Sequence, residues 1–325
     1  MTSSKPKVLA TRHFPTDVEA RLAASFDAKL NPQDKLYDGP ALATASEGFA
    51  GIMCAAGDAI NADTIAKLPS SVKMIATFSV GYEHVDVAAA AKRGIIVSNT
   101  PDVLTDATAD IALLCLLGAA RRAHEGTTML RTHNWVGWEP TQLMGTHVTG
   151  KRLGILGMGR IGQAVADRAR AFRMTIHYSN RSRLPAELEK GATFHANPDD
   201  MLPYCDFLSI NAPMTAATRK WVNAERIGKL PKGAIVVNTA RGGVVDDEAL
   251  IAALKSGRLA AAGIDVFDGE PRIHQGYYDL VNAFLLPHMG SATVETRNAM
   301  GFKALDNLEA FLLSGKTPPD LVKAS

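Results

Sequence analysis

The chain of 325 residues has few cysteines, no strong excess of either charge and no long apolar run. Its cysteines match neither a zinc site nor a disulfide framework, and we expect three small buried hydrophobes at Cys54, Cys115 and Cys205. The formal net charge of +2 does not suggest a nucleic acid or an anionic membrane as partner. The longest apolar run, Ile111–Ala120, is about half the ~20 residues that cross a bilayer. With an N-terminus too polar for a signal peptide, this favours a cytoplasmic protein with a small ligand.

Short apolar runs alternate with helical patterns along most of the chain, which predicts an α/β fold with parallel sheets. Predicted strands include Gly51–Cys54, Lys73–Phe78 and Ala234–Asn238. The alternation is interrupted at Asn99–Asp110, where Pro101 and several N-cap residues precede a helix predicted from about Thr108 to Gly126. A second alternating series begins at Leu153. A last helix is predicted from about Glu295 to Ser314, and we expect the polar tail after it to fray.

Three glycines with the spacing G-x-G-x-x-G follow the apolar run "RLGIL" and open an amphipathic helical pattern. A strand, a glycine turn and a helix form the context in which this motif binds a dinucleotide. The helix N-terminus then offers N–H groups and partial positive charge to the pyrophosphate. The predicted cofactor-binding residues of this loop are Gly157, Met158, Gly159, Arg160, Ile161 and Gly162.

The loop after the second strand of this series lacks an acidic residue where such folds usually offer one to the adenosine ribose. Asn180 occupies that position, roughly 20 residues beyond the glycine loop, and is followed by Arg181, Ser182 and Arg183. Guanidinium groups bind phosphate through forked, charge-assisted hydrogen bonds. The sequence therefore predicts a preference for NADP(H), with NAD(H) possible.

Arg241, Glu270 and His288 each follow a predicted strand of the second series. Ligands of open parallel sheets bind beyond the carboxyl ends of the strands, so these side chains can converge. Beside a nicotinamide, which transfers a hydride, a histidine and an arginine can supply the proton and the cation that reduction of a carbonyl group needs. We expect His288 to give the proton, Glu270 to orient the imidazole, and Arg241 to polarise the carbonyl.

These stretches, with "SVGYEHVD" (Ser79–Asp86) and "GMGRIGQAVADRA", resemble the D-isomer-specific 2-hydroxyacid dehydrogenase family. "PHMGSATVETRNAMG" is most similar to its glyoxylate/hydroxypyruvate reductase branch. The resemblance covers nearly the whole chain. It implies two Rossmann-like or flavodoxin-like parallel-sheet domains with a cleft between them. Residues 1–101 and 290–325 would form the substrate-binding domain, and residues 102–289 the NAD(P)-binding domain inserted between them.

The resemblance also implies roles for residues outside these motifs. Backbone N–H groups at Val80 and Gly81 would bind the substrate carboxylate together with Arg241. Asp265 would contact the nicotinamide carboxamide or support the site. Further cofactor-binding positions are Thr108, Ala212, Pro213 and Thr239. The segment Asn134–Gly145 would lie at a homodimer interface, with Trp135 and Trp138 either at that interface or, for Trp138, lining the active site.

The predicted activity is NADPH-preferring reduction of glyoxylate to glycolate and of hydroxypyruvate to D-glycerate, without a metal. Another 2-keto acid as substrate is the main alternative. Formate dehydrogenases pair their histidine with an amide, so Glu270 disfavours them; phosphoglycerate dehydrogenases often carry a regulatory domain for which 325 residues leave no room. A nucleotide-sensing protein similar to corepressors is a distant alternative.

Overall fold

The computed structural model describes residues 5–323, which form two compact units. The first unit takes its chain from Met1–Leu104 and Ala292–Ser325, and the second is the continuous segment Thr105–Ser291. The divisions predicted from the sequence, after residues 101 and 289, differ from these junctions by a few residues. Residues 1–4 and 324–325 of the predicted first domain lie outside the described residues.

The elements alternate along the chain as the sequence predicts. In the described residues the strands are β1 (Lys7–Ala10), β2 (Asp27–Lys29), β3 (Gly51–Ala55), β4 (Met74–Phe78), β5 (Ile96–Ser98), β6 (Arg152–Leu156), β7 (Thr175–Ser179), β8 (Thr193–Phe194), β9 (Phe207–Ile210), β10 (Ala234–Asn238), β11 (Leu259–Ile264) and β12 (Ala283–Leu285). The α-helices are α1 (Thr16–Ser25), α2 (Gly39–Ala45), α3 (Ala62–Lys67), α4 (Val87–Lys92), α5 (Thr105–Ala120), α6 (Ala123–Arg131), α7 (Arg160–Ala171), α8 (Ala186–Glu189), α9 (Pro198–Met201), α10 (Ala224–Lys229), α11 (Asp247–Lys255) and α12 (Val294–Leu308).

The first unit is built on a parallel sheet with the strand order β2-β1-β3-β4-β5. Successive side chains of β1 face opposite sides of this sheet. Val8 packs in one buried cluster with Leu305 of α12, and Leu9 packs in the other with Ile65 of α3. Strands covered by helices on both faces become continuous apolar runs, which is why β3 and β4 were visible in the sequence.

The second unit is built on a parallel sheet with the order β12-β11-β10-β9-β6-β7-β8. Within this sheet, β6 comes first along the sequence. The chain then passes outward to β7 and β8 and returns to form β9 on the other side of β6. This reversal creates the crevice at the carboxyl ends of β6 and β9 in which such sheets bind dinucleotides. The predicted α/β class with two parallel-sheet domains is confirmed.

The predicted helix from Thr108 to Gly126 is wrong in its extent, because the chain forms two helices, α5 and α6. The carbonyl of Ala120 accepts a hydrogen bond of 2.8 Å from the N–H of Thr146, and Arg122 has a left-handed φ of 54°. A Cβ on Gly145 would lie 2.2 Å from the Ala120 oxygen, so the segment at Gly145–Thr146 packs closely on the end of α5 and caps it.

The C-terminal tail does not fray as predicted within the described residues. α12 continues into a π-helical turn, Glu309–Leu313, and the chain then returns to the first sheet. The N–H of Val322 donates to the carbonyl of Val97 at 2.8 Å, and the N–H of Asp320 donates to Oδ1 of Asn307 at 2.9 Å. The tail thereby pairs with β5.

The three cysteines are free and buried. Desolvation raises the pKa of the Cys205 thiol to about 12, so this group stays protonated and unreactive. Among the residues that the structure describes, none of the helices has the length and apolarity that crossing a bilayer demands.

Candidate active site

The glycine loop joins β6 to α7 in the second unit and fits a dinucleotide pyrophosphate. Gly157 has φ +92°, and a Cβ there would lie 2.7 Å from the backbone N of Ala212. A Cβ on Gly162 would lie 2.3 Å from the Gly157 oxygen, so helix and loop pack closely. Gly159, the N-cap of α7, has no side-chain cap, and the space where its Cβ would stand is open. The first N–H groups of α7 therefore face a cradle that a phosphate can fill.

Asn180 holds this loop from the end of β7. Its Oδ1 accepts a 2.7 Å hydrogen bond from the N–H of Met158, and the Met158 side chain is fully buried. The structure thus places Met158 and Ile161 against the hydrophobic core, with Ile161 only partly covered. Asn180 orients the backbone of the phosphate loop, a role that the sequence prediction did not include.

The two arginines after Asn180 have different surroundings. Arg183 donates from Nε and Nη2 to the carboxylate of Glu189 at 2.8 and 3.0 Å, and the Glu189 side chain is only 8% exposed. The Tyr178 hydroxyl donates to the same carboxylate at 2.6 Å. Arg183 and Tyr178 lower the pKa of Glu189, which is therefore a carboxylate. Arg181 and Ser182 are exposed, and Arg181 makes no side-chain ion pair within residues 5–323.

Three buried polar atoms lie at the carboxyl ends of neighbouring strands without a partner among the described residues. They are Oδ1 of Asn211 after β9, Oγ1 of Thr239 after β10 and Oδ2 of Asp265 after β11. Buried polar atoms are rarely left unpaired in folded proteins, so this row indicates the position of a polar ligand group. Asn211 was missed in the sequence, although it directly precedes the predicted Ala212 and Pro213.

His288 and Glu270 form a close pair beyond the ends of β12 and β11. His288 Nδ1 lies 2.6 Å from Glu270 Oε2, and Glu270 Oε1 accepts a 2.7 Å hydrogen bond from the N–H of Phe267. Burial favours the neutral acid, but hydrogen bonds from His288 and Phe267, with the charge of Arg241, outweigh it and lower the pKa of Glu270. A carboxylate only accepts hydrogen bonds, so Nδ1 carries a hydrogen and Nε2 is left for proton exchange.

Asp265 fixes the backbone that carries His288. Its carbonyl accepts the His288 N–H at 2.8 Å, and its Oδ1 accepts the Met289 N–H at 2.8 Å. Burial raises the pKa of Asp265, while the hydrogen bond from Met289 opposes that rise. A Cβ on Gly290 would lie 3.3 Å from Asp265 Oδ2 and 3.4 Å from Thr108 Oγ1. The predicted residues Thr108, Asp265 and His288 thus come together around Gly290.

Arg241 is half-buried and follows β10. Asn238 orients its turn by donating from Nδ2 to the Arg241 carbonyl at 3.0 Å and accepting the Ala240 N–H at 3.1 Å. A Cβ on Gly242 would lie 1.8 Å from the carbonyl carbon of Phe267, so this turn packs directly on the loop that leads to Glu270. Asn238 was not predicted from the sequence, where it reads as the last residue of a strand.

In the first unit, the turn after β4 contains the predicted Val80 and Gly81. The carbonyl of Ser79 accepts the Thr100 N–H at 2.9 Å, and the carbonyl of Val80 accepts Asn99 Nδ2 at 2.8 Å. Within residues 5–323 the N–H groups of Val80 and Gly81 have no acceptor. Successive free N–H groups of this kind form an anion-binding nest, as a carboxylate would require.

The predicted interface tryptophans lie in an exposed segment of the second unit. Trp135 is 52% exposed and Trp138 79% exposed, and Val136 between them is 92% exposed.

In the described part of the chain no group of three or more His, Cys, Asp or Glu side chains is arranged to hold a metal ion.

A strand–glycine–helix loop at a topological switch point, with a His–Glu pair beyond β11 and β12 of the same sheet, is the arrangement of a dinucleotide-dependent oxidoreductase. Residues 113–290 match the family model of the D-isomer specific 2-hydroxyacid dehydrogenase NAD binding domain. The chain is 44% identical over 309 residues to the glycerate dehydrogenase of Hyphomicrobium methylovorum, covering 94% of this chain and 96% of that one. It is 41% identical over 323 residues to the glyoxylate reductase of Thermococcus kodakarensis, covering 98% and 96%.

A solved structure gives the same result. The NADPH-dependent glyoxylate/hydroxypyruvate reductase of Sinorhizobium meliloti, in complex with NADP and malonate, is 34% identical and aligns with a TM-score of 0.87 over 99% of this chain and 100% of that one. The chain belongs to the D-isomer specific 2-hydroxyacid dehydrogenase family, as its resemblance predicted. It is an oxidoreductase of the 2-hydroxyacid dehydrogenase type that uses a nicotinamide cofactor.

Proposed function

We propose that the protein reduces glyoxylate to glycolate and hydroxypyruvate to D-glycerate, with NADPH preferred over NADH. The observation that carries the proposal is the 2.6 Å pair of His288 and ionised Glu270 beyond the strands of the dinucleotide sheet. The names of similar proteins, a glycerate dehydrogenase and a glyoxylate reductase, support the substrate class.

The protein groups divide the work of carbonyl reduction. A nicotinamide cofactor held by the Gly157–Gly162 loop would supply a hydride for the carbonyl carbon. His288 gives its proton to the carbonyl oxygen as the C=O bond becomes a C–O–H group, and Glu270 stabilises the imidazolium before transfer. Arg241 polarises the carbonyl and helps to bind the carboxylate. The free N–H groups of Val80 and Gly81 bind carboxylate oxygens.

The loop after β7 supports the NADPH preference, and its two arginines differ in how much of their charge is available to a phosphate. Arg181 is exposed and carries its charge without an ion pair in the described residues, whereas Arg183 shares its charge with Glu189. Arg181, with the hydroxyl of Ser182, is therefore the main proposed ligand of a 2′-phosphate. The NADP bound by the Sinorhizobium meliloti reductase is consistent with this choice.

The polar row at the strand ends fits the nicotinamide end of the cofactor. Thr239 and Asp265 are proposed, together with Thr108, Ala212 and Pro213, to line that part of the site. Unpaired oxygens such as Asp265 Oδ2 suit the amide hydrogens of a carboxamide. This proposal also gives Asn211 a place in the cofactor site.

The exposed segment around Trp135 and Trp138 supports a homodimer. Large aromatic side chains are enriched at the cores of protein interfaces, and three apolar side chains this exposed within four residues are unfavourable in water. Light scattering after size exclusion tests this proposal. A dimer that W135A/W138A converts to monomer supports it, whereas a wild-type monomer contradicts it.

The decisive experiment compares initial rates for glyoxylate and hydroxypyruvate with NADPH and with NADH, followed through nicotinamide absorbance. Faster turnover with NADPH, abolished in His288→Ala, is the expected result. Equal rates with both cofactors would remove the NADPH preference and keep the reductase. Faster reduction of bulky 2-keto acids would change the substrate, and no turnover of any 2-keto acid would favour a nucleotide-sensing protein.

A further inference from the structure

A chain of side-chain hydrogen bonds in the first unit ends at the Val80–Gly81 turn. His84 Nε2 lies 2.8 Å from Thr77 Oγ1, and Thr77 Oγ1 lies 2.7 Å from Ser79 Oγ. Ser79 Oγ in turn donates to the carbonyl of Gly81 at 2.6 Å. Thr77 is 1% exposed and Ser79 7% exposed, so water does not readily replace either hydroxyl.

The direction of every hydrogen in this chain follows from its last bond. A carbonyl oxygen only accepts, so the single hydrogen of Ser79 is used on Gly81. Ser79 must then accept from Thr77, which uses the single hydrogen of Thr77. His84 must therefore donate from Nε2, a requirement that both the Nε2–H tautomer and the imidazolium meet.

The chain completes the set of bonds that orients the nest. Peptide groups are planar and trans, so a fixed carbonyl fixes the N–H on the opposite side of the same peptide. Thr100 holds the Ser79 carbonyl and Asn99 holds the Val80 carbonyl. These two bonds aim the N–H groups of Val80 and Gly81. Ser79 holds the Gly81 carbonyl and so fixes the peptide that closes the turn.

We propose that His84, acting through Thr77 and Ser79, is a positioning residue for the substrate carboxylate, and that its Nε2–H is the group required. The proposal rests on the proposed function, because that function assigns the carboxylate to Val80 and Gly81. His84 itself does not touch substrate. Its effect falls on the affinity for 2-keto acids and leaves the affinity for cofactor unchanged.

The test uses four variants of the 325-residue protein and one control. Thr77→Val and Ser79→Ala each remove one hydroxyl from the series of hydrogen bonds, and His84→Leu removes the donor at its start. His84→Gln keeps an amide N–H near the position of Nε2. Ser71→Ala is the matched control, because the Ser71 hydroxyl is buried without a partner in the described residues. Each variant is measured for KM of glyoxylate, KM of NADPH, kcat and Tm.

The KM of glyoxylate should rise roughly five- to tenfold in T77V, S79A and H84L, the effect of one lost buried hydrogen bond. H84Q should recover most of the wild-type KM, and S71A should match wild type. The KM of NADPH should stay within about twofold throughout, since the lost interaction concerns the carboxylate alone. Two-bond ¹⁵N–¹H correlation spectra should show the His84 Nε2–H tautomer at alkaline pH.

Three results would overturn the proposal. One is an unchanged glyoxylate KM in T77V and S79A with wild-type Tm. Another is a His84 that carries its hydrogen on Nδ1. A third is H84Q behaving like H84L. If the wild-type protein reduces no 2-keto acid, the proposed function is wrong and the role of His84 is wrong with it. That result is obtained with wild type alone, so it is distinct from the three results above, which need the variants.

Discussion

Asp265 fixes the backbone at His288 by accepting hydrogen bonds from two successive N–H groups, those of His288 and Met289. The Asp265 carbonyl accepts the His288 N–H at 2.8 Å, and its carboxylate accepts the next N–H at 2.8 Å. His288 has a φ of +52°, a left-handed conformation that a non-glycine residue adopts only when its surroundings impose it. The two bonds from Asp265 supply that constraint.

Asp265→Ala should therefore lower kcat by roughly 10- to 100-fold, since the proton donor loses its fixed position. It should also lower Tm, because the part-buried N–H of Met289 loses its acceptor. Asp265→Asn keeps an acceptor oxygen and should retain Tm far better. Rapid-quench kinetics and thermal melts measure both effects. An Asp265→Ala enzyme with wild-type kcat would contradict this role.

Glu270→Gln should lower kcat/KM for reduction across the neutral pH range. Glu270 orients the His288 ring through their 2.6 Å hydrogen bond, and the lowered pKa of Glu270 keeps it a carboxylate throughout that range. An amide keeps the size of the side chain but removes its charge, so the proton donor loses this electrostatic support. Profiles of kcat/KM from pH 5 to pH 10 provide the measurement, with Glu248→Gln as a surface control. A profile unchanged from wild type would separate Glu270 from proton transfer.

The two arginines of the cofactor loop should differ when each is replaced by alanine. Arg181→Ala should lower kcat/KM for NADPH roughly 10- to 100-fold and leave NADH unaffected, since it removes a charge-assisted phosphate contact. Arg183→Ala should have the smaller effect on cofactor choice and the larger effect on Tm, because it deprives the Glu189 carboxylate of its cation. The reverse ranking of the two variants would reassign the 2′-phosphate to Arg183.

His177 should make the second unit less stable in acid. Its Nδ1 lies 3.0 Å from His195 Nε2, and its ring stacks on Tyr204 at 5.1 Å. Burial lowers the pKa of His177 from its ordinary value of 6.5, with smaller contributions from His195 and Arg152. The unfolded chain then binds the proton at higher pH than the folded one. Stability from this residue is complete above pH 6.5 and is lost as pH falls below it.

Urea unfolding at pH 7 and pH 5 checks this sign. In His177→Gln the fall in unfolding free energy between the two pH values should be smaller than in wild type. His13→Gln, which changes an exposed histidine, serves as the control. An equal fall in His177→Gln and wild type would show that His177 titrates alike in both states.

The sequence predicts the elements that bury long apolar runs and misses those that do not. β3, β4 and β10 are buried at nearly every residue and were found within a residue or two of their ends. The edge strands β2 and β8 have three and two residues, too few for a period to appear. α5 was extended too far, because the chain that ends it returns from residues 145–146.

The site shows the same limit at the level of single side chains. Residues in motifs, such as Gly157 and His288, were recognisable because their chemistry and spacing occur together. Arg183 was recognisable as a charge, but nothing in the sequence indicates that Glu189 pairs with it. Asn99 and Asn238 act by holding backbone carbonyls, and such a role depends on which turn lies beside them. Such hydrogen-bond and ion-pair partners are brought together by the tertiary fold, and the local sequence pattern does not contain that information.

The pairing of the C-terminal tail with β5 has a consequence for biosynthesis. The second unit is complete in sequence once Ser291 has been translated, whereas the first unit still lacks α12, whose Leu305 and Leu308 fill its core. During synthesis the second unit can therefore fold while the first unit still lacks α12. The N-terminal part of the first unit must wait, with the apolar surface that α12 covers left exposed, until Val294–Leu308 has been made.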